Sequence, residues 1–392
     1  MKESKLVFLL MMIVLSSFMF GCENHVFFGA ETKVKAVENV KAVEEVKEIK
    51  VDNRDLINQQ KAEEARKNQE LLQNRIREYL LSSNISGAVS VVKNNQIIFN
   101  EGVGYANTEK QLLNQPSTTY PIGSISKVFV ATSIMKLQEE NKLNIQDPVS
   151  KYIPNFPNGN NIKLYNLLTH TSGIQPLRWQ KGDTTPLQLV QEIEKLPIKF
   201  QAGEKWDYLD ANYVVLGYIL EKVTGSSLHE FIQKNIFDKV PMKDTGFMTH
   251  EHPVPYDSIG YSIKNGKVEK TQYFNTYALF ACGDIYSTPY DLAQFDHALL
   301  TGQLVSKNSL NQMITPSPKS LYGLGLYYDG VAATSHGVLG GWHTYHAYYN
   351  DHTSVVVFLN QKNKETNIAQ ITDQIYQMVK SATIPEVSPP KY

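Results

Sequence analysis

The stretch IGSISKVF, residues 122–129, puts two serines and one lysine within four positions. A serine hydroxyl attacks a carbonyl carbon once a base takes its proton, and a neighbouring amine can activate it. Which serine the lysine serves is a question of geometry. The residues that follow place Val128, Val130, Ile134, Met135 and Leu137 at helical spacing, so a helix is expected to start near Gly123. On a helix, residues three apart share a face. That pairs Ser124 with Lys127. Ser126 is turned about 100° around the axis from its lysine neighbour. In the first turn Ser124 would also lie near unpaired backbone N–H groups, which can hold a developing oxyanion. The competing reading is a serine that caps the helix beside a solvated lysine.

A lysine in water is a poor base at neutral pH, because its pKa lies near 10.4. Burial in apolar surroundings lowers it. Ile125 and Val128 flank Lys127, so partial desolvation is expected to bring the amine toward a usable range.

The elements that must position this pair belong to a chain of 392 residues, 42% hydrophobic and 20% charged, with a formal net charge of -1. That balance carries no electrostatic footprint for nucleic acid. No P-loop, dinucleotide fingerprint or zinc-finger spacing occurs. Two cysteines, Cys22 and Cys282, exclude a disulfide framework. Lys2 and Lys5 precede an apolar run from Leu6 to about Phe20, which suits a signal segment (residues 1–21) and is short for a membrane span. The run ends in Gly21-Cys22, which resembles a bacterial lipoprotein cleavage site with Cys22 as the lipidated residue. Phe20 is bulky where a small residue is usual. An uncleaved anchor and plain secretion are the alternatives. Each places the rest of the chain outside the cytoplasmic membrane, and the first two tether it there.

Residues 22–69 read as a charged stalk. Within them, 31–50 repeat valine or isoleucine every third position, a period that drifts around a helix. The folded domain is expected over 70–384, with 385–392 as a tail. Leu71, Leu72, Ile76, Tyr79 and Leu80 mark an amphipathic helix. Two strands then meet at Asn94-Asn95. Strand-like runs recur in SLYGLGLYYDG, WHTYHAYYN and TSVVVFLNQ, and NIAQITDQIYQMVKSA closes as a helix. Strands at both ends with helices between predict an α+β fold: an antiparallel sheet flanked by helices, with an inserted, mostly helical subdomain.

Six phrases occur in order: YPIGSISKVF, LYNLLTHTSGI, QAGEKWDYLDANYVVLGYILEKVTG, ACGDIYSTPYDLAQF, YGLGL and SHGVLGGWHTYHAYYND. Together they resemble the penicillin-recognising serine hydrolases of the class C beta-lactamase type, which include DD-peptidases and esterases. The resemblance covers about residues 70–380. It implies Ser124 as nucleophile, Lys127 as its partner and Tyr208 as a second proton-exchanging group. The third element of the family is a strand that lines the oxyanion hole and binds an anionic group. Here it falls on Ser335-His336-Gly337 or one residue on. His336 and Gly337 then lie at the substrate, with the Val338 N–H paired to that of Ser124.

Asp210 departs from the asparagine usual in the family, and Tyr-x-Asp resembles the teichoic-acid D-alanyl esterase branch. An ionised aspartate only accepts hydrogen bonds. It could hold Lys127 as an ion pair and weaken it as a base, bind the ammonium of an aminoacyl ester, or cap the helix that follows. The resemblance implies an extracytoplasmic hydrolase of D-alanyl groups in the cell envelope, first a D-alanyl esterase on teichoic acid. DD-carboxypeptidase (a penicillin-binding protein) and beta-lactamase are the alternatives within the family. A scaffold that kept the fold and lost turnover is the alternative outside it. No cofactor or metal is implied: there is no H-E-x-x-H, and His343 and His346, three apart in a strand, face opposite ways. His170 is read as ordering a loop, and Cys282 as buried and inert.

Overall fold

The computed structural model describes residues 53–177, 184–252, 256–264, 267–271 and 275–382. The signal segment, Cys22, the repeat at 31–50 and the tail lie outside the described residues. The centre is a six-stranded antiparallel sheet built from both ends of the chain. Its N-terminal strands are β1 (Ser86–Lys93) and β2 (Gln96–Val103). Its C-terminal strands are β3 (Tyr327–Tyr328), β4 (Ala332–Leu339), β5 (Trp342–Tyr349) and β6 (Thr353–Gln361). The order is β3-β4-β5-β6-β1-β2, and β6 meets β1 with Val357 opposite Val89. The hairpin between β1 and β2 turns at Asn94 and Asn95, with φ of +49° and +63°, the left-handed pair that a two-residue hairpin demands and asparagine tolerates.

Each face of the sheet carries its own helices. On one side lie α1 (Asn53–Ser82) and the last helix, α5 (Ile368–Ser381). Leu72, Ile76 and Leu80 of α1, four apart, pack with Ile371, Ile375 and Val379 of α5 onto Val89, Val91, Val355 and Val357. The helix α1 runs unbroken past residue 70, and its burial in the core starts at Leu72. On the other side lie α2 (Ser126–Glu139), α3 (Asp210–Thr224) and α4 (Pro289–Leu300). The helix α2 is buried on every side from Ser126 to Met135, so it is the central post of the domain rather than an amphipathic surface helix. Phe129 stacks on Phe295 of α4 at 4.1 Å.

The run SLYGLGLYYDG, expected as a strand, contributes only Tyr327 and Tyr328 to the sheet. Gly325 explains the difference. It takes φ +87°, and a Cβ there would come within 2.7 Å of Ala131 Cβ. The segment is a close-packed turn against α2. Among the described residues no helix is long and apolar enough to cross a membrane.

Candidate active site

Ser124 sits in a single 3-10 turn, Gly123–Ile125, that leads directly into α2. Gly123 opens it with φ +52°. Ser124 makes no capping bond. Instead its Oγ accepts a hydrogen bond from Lys127 Nζ at 2.9 Å. Ser126 points away into the core, where its Oγ accepts from the Ile285 N–H. The shared face of residues 124 and 127 is thus realised, and the lysine is not solvated.

Lys127 is completely buried. Its three N–H donors go to Ser124 Oγ, to the Cys282 carbonyl at 2.9 Å and to Asp210 Oδ1 at 2.7 Å. The rings of Tyr208 and Tyr213 lie 5.1 and 5.9 Å from the nitrogen. Burial alone would drive the ammonium toward neutrality; Tyr208 and Asp210 outweigh it, and the pKa rises above the ordinary lysine value. Of the two readings open from sequence, the ion pair with Asp210 is the one the geometry favours over a free-amine Lys127. The desolvation is there, but a carboxylate comes with it.

Asp210 is the first residue of α3, whose N-cap is Leu209. Its side chain is 54% exposed while holding Lys127. One carboxylate oxygen is therefore committed to the lysine, and the group still faces a cleft of about 260 Å³. Ser124, Pro176, Leu177, Tyr208, Leu209, Asp210, Ala211 and Ala278 line it. Among these described residues, Tyr208 and Asp210 are the only titratable side chains.

His170 orders the turn that carries Tyr208. Its Nδ1 accepts from the Leu209 N–H at 3.2 Å, and its carbonyl accepts from the Asp207 N–H at 2.8 Å. Cys282 has a buried thiol, pushed up in pKa chiefly by burial. What it offers the site is its backbone oxygen.

The third element arrives by its backbone. Gly337 packs so closely on the Ile122 carbonyl that a Cβ would collide with it and with Thr344 Oγ1. A Cβ on Gly123 would lie 3.2 Å from Val338 N. The main chain of β4 therefore abuts the turn that holds Ser124. The His336 side chain does not follow it. Alternation along the strand sends it to the other face from Gly337, where its ring neighbours are His343 at 6.2 Å and Tyr345 at 6.0 Å. The expected imidazole at the substrate is not brought to Ser124.

Sequence reasoning missed three contributors: the Cys282 carbonyl, Tyr213 and Tyr322. Tyr213 lies five residues beyond Tyr208 in the same phrase, and Tyr322 opens YGLGL. Their rings close around His170, at 5.3 and 4.9 Å. A peptide carbonyl leaves no trace in residue types. Among the described residues no group of three or more His, Cys, Asp or Glu is placed to hold a metal.

The family model for beta-lactamase matches residues 72–376. The chain belongs to the beta-lactamase family. It is 35% identical over 334 residues to PbpX of Bacillus subtilis, which carries the name of a penicillin-binding protein, covering 84% of this chain and 85% of that one. It is 32% identical to a teichoic acid D-alanine hydrolase of Staphylococcus aureus, covering 78% of each. The crystal structure of FmtA from Staphylococcus aureus superposes with a TM-score of 0.71 at 30% identity, covering 80% of this chain and 91% of FmtA. Within this family the protein is a serine hydrolase, and its fold is the beta-lactamase and transpeptidase-like one.

Proposed function

We propose that this serine hydrolase removes D-alanyl groups from teichoic acid outside the cell membrane, through an acyl-enzyme on Ser124. The observation that carries the reading is the carboxylate of Asp210, bonded to Lys127 through one oxygen and half exposed at the cleft that Ser124 lines. A D-alanyl ester presents a free ammonium beside its scissile carbonyl, and a carboxylate suits it. A carboxypeptidase substrate or a beta-lactam presents an anionic carboxylate, which Asp210 would repel.

Ser124 Oγ attacks the ester carbonyl. The Ser124 and Val338 N–H groups receive the carbonyl oxygen as it gains charge. Lys127, held as an ammonium, stabilises negative charge developing on Ser124 Oγ. Tyr208 relays the proton: its oxygen takes the hydrogen leaving Ser124 and passes its own to the departing polyol oxygen. Water then attacks the alanyl-serine ester, and the same relay in reverse restores Ser124 and frees D-alanine. Gly337 serves by bringing the backbone of β4 close.

We also read Cys22 as the lipid-bearing residue that tethers the enzyme to the outer side of the membrane. The basic start and the apolar run before Gly21-Cys22 support this. Cys22→Ala should release active protein into the medium.

The deciding measurement compares D-alanine release from D-alanylated teichoic acid with acylation by penicillin, both by intact mass, in the wild type and in Asp210→Asn. The substitution should raise KM for the D-alanyl ester about tenfold, as loss of a charge-assisted contact does, and should improve penicillin acylation. An unchanged ester reaction with no gain toward penicillin rejects the assignment.

A further inference from the structure

His170 is a buried titratable group that the chemistry above does not use. It adopts φ +56°, a left-handed conformation that a non-glycine residue keeps only when its surroundings enforce it. Its carbonyl takes the Asp207 N–H and its Nδ1 takes the Leu209 N–H, so the residues on both sides of Tyr208 are tied to one histidine. The imidazole also lies against the Tyr208 ring, with centroids 4.2 Å apart. Asn212 Nδ2 approaches the same Nδ1 at 3.1 Å, and the Asn212 Oδ1 is occupied by Ser172 Oγ. With its oxygen taken, Asn212 presents its amide hydrogens to the ring. Two donors converge on Nδ1, so that nitrogen carries the lone pair and Nε2 carries the hydrogen.

We infer that His170 is a positioning residue, a clamp that sets Tyr208 and Asp210 against Lys127 and that works only as the neutral Nε2–H tautomer. This rests on the reading in which Ser124 and Tyr208 do the chemistry. The charged and titratable groups around the ring are Lys127 from α2, Tyr213 from α3, Tyr208 from the preceding turn, and Tyr322. A second proton would have to enter at Nδ1, against two N–H donors. Burial first, and the Lys127 charge second, hold the imidazole well below the ordinary histidine range.

The substitutions His170→Asn, His170→Gln and His170→Phe separate the clamp from mere packing. Asparagine puts an acceptor near the place of Nδ1 and tolerates the left-handed backbone. Glutamine reaches instead toward Nε2, and phenylalanine keeps the ring without an acceptor. Two rates are read: labelling of Ser124 by a fluorophosphonate, and turnover of p-nitrophenyl acetate. His170→Asn should stay within roughly threefold of wild type, whereas His170→Gln and His170→Phe should lose roughly 100-fold in kcat with KM little moved, as a misplaced reacting group does. In the wild type, ¹⁵N NMR should show His170 as Nε2–H from pH 5 to 8.

Equal rates in all variants, an asparagine variant no better than phenylalanine, or an imidazole that titrates near its ordinary value would each overturn the inference. Should His170→Phe fail to fold, the Asn–Gln pair and the tautomer still decide. If Ser124 is not labelled in the wild type, the proposed chemistry fails, and the tautomer continues to report on the clamp separately.

Discussion

The two walls of the cleft are made in different ways. The helical wall, formed by the start of α2, residues 207–213 at the start of α3 and residues 279–284, carries the charge, and every donor of the buried Lys127 is spent. The strand wall, β4, brings a backbone and little else: Gly337 makes the close contact, Val338 is 49% exposed, and His336 faces away. A buried ammonium is tolerated only while its partners stay in place, so the helical wall cannot drift without losing stability. The strand wall is held by register, where a one-residue slip would reverse every side chain. On the chemistry proposed above, charge is concentrated where bonds change, and peptide N–H groups receive the oxygen.

Substitutions on the helical wall should have the largest effect. Ser124→Ala should abolish the acyl adduct and cost about 10⁴-fold or more in kcat, the scale seen when a nucleophile is removed. Ser126→Ala, two residues away, should keep the adduct. It should lose only about 1 kcal/mol of stability, because its hydroxyl serves the Ile285 N–H. Intact mass with a fluorophosphonate, beside thermal melts, reads both. An adduct that survives in the Ser124 variant would move the chemistry elsewhere.

On the strand wall, backbone and side chain should part company. Gly337→Ala forces a Cβ onto the Ile122 carbonyl. The edge of β4 must shift, and kcat should fall about 10²-fold, as when an oxyanion donor is misaligned. His336→Ala should stay within about threefold. The reverse order, with the imidazole mattering more than the glycine, would mean that the strand reaches substrate by its side chains.

Much of this was legible in residue order. The period of α2 placed Ser124 and Lys127 on one face, the Asn-Asn pair marked the hairpin, and the unbroken apolar run in TSVVVFLNQ marked a strand buried on both faces. The family resemblance pointed to Tyr208, Asp210 and the β4 segment, which the fold brings beside Ser124 and Lys127. What could not be read was the balance of opposing effects at Lys127, since burial and a facing carboxylate act in opposite directions and their distances come only with the fold. Nor could strand parity be read near a glycine pair: SHGVLGG admits two registers, and only the contact of Gly337 with Ile122 chooses. The short β3 was misjudged because Gly325 serves a contact with α2 that lies far off in sequence.

The smallest effect concerns the outer face of the strand wall, where His343 and His336 sit near Lys362. Burial first, then the Lys362 charge, push His343 down to about 4 and lower His336 as well. Both are neutral in the folded protein at pH 7. In the unfolded chain each takes a proton near its ordinary value, about 6.5. Between pH 6.5 and about 4 the unfolded state therefore binds more protons at these two sites, and their contribution to stability is lost as pH falls across that window. His343→Gln removes one of these unequal titrations. Its melting temperature should fall less steeply from pH 6.5 to 4 than that of the wild type, while turnover at pH 7 stays within about twofold, because the side chains of the proposed chemistry lie on the helical wall. An identical slope in the two proteins would show that solvent screens this face. A large loss of turnover at pH 7 would show that the walls are coupled through β4.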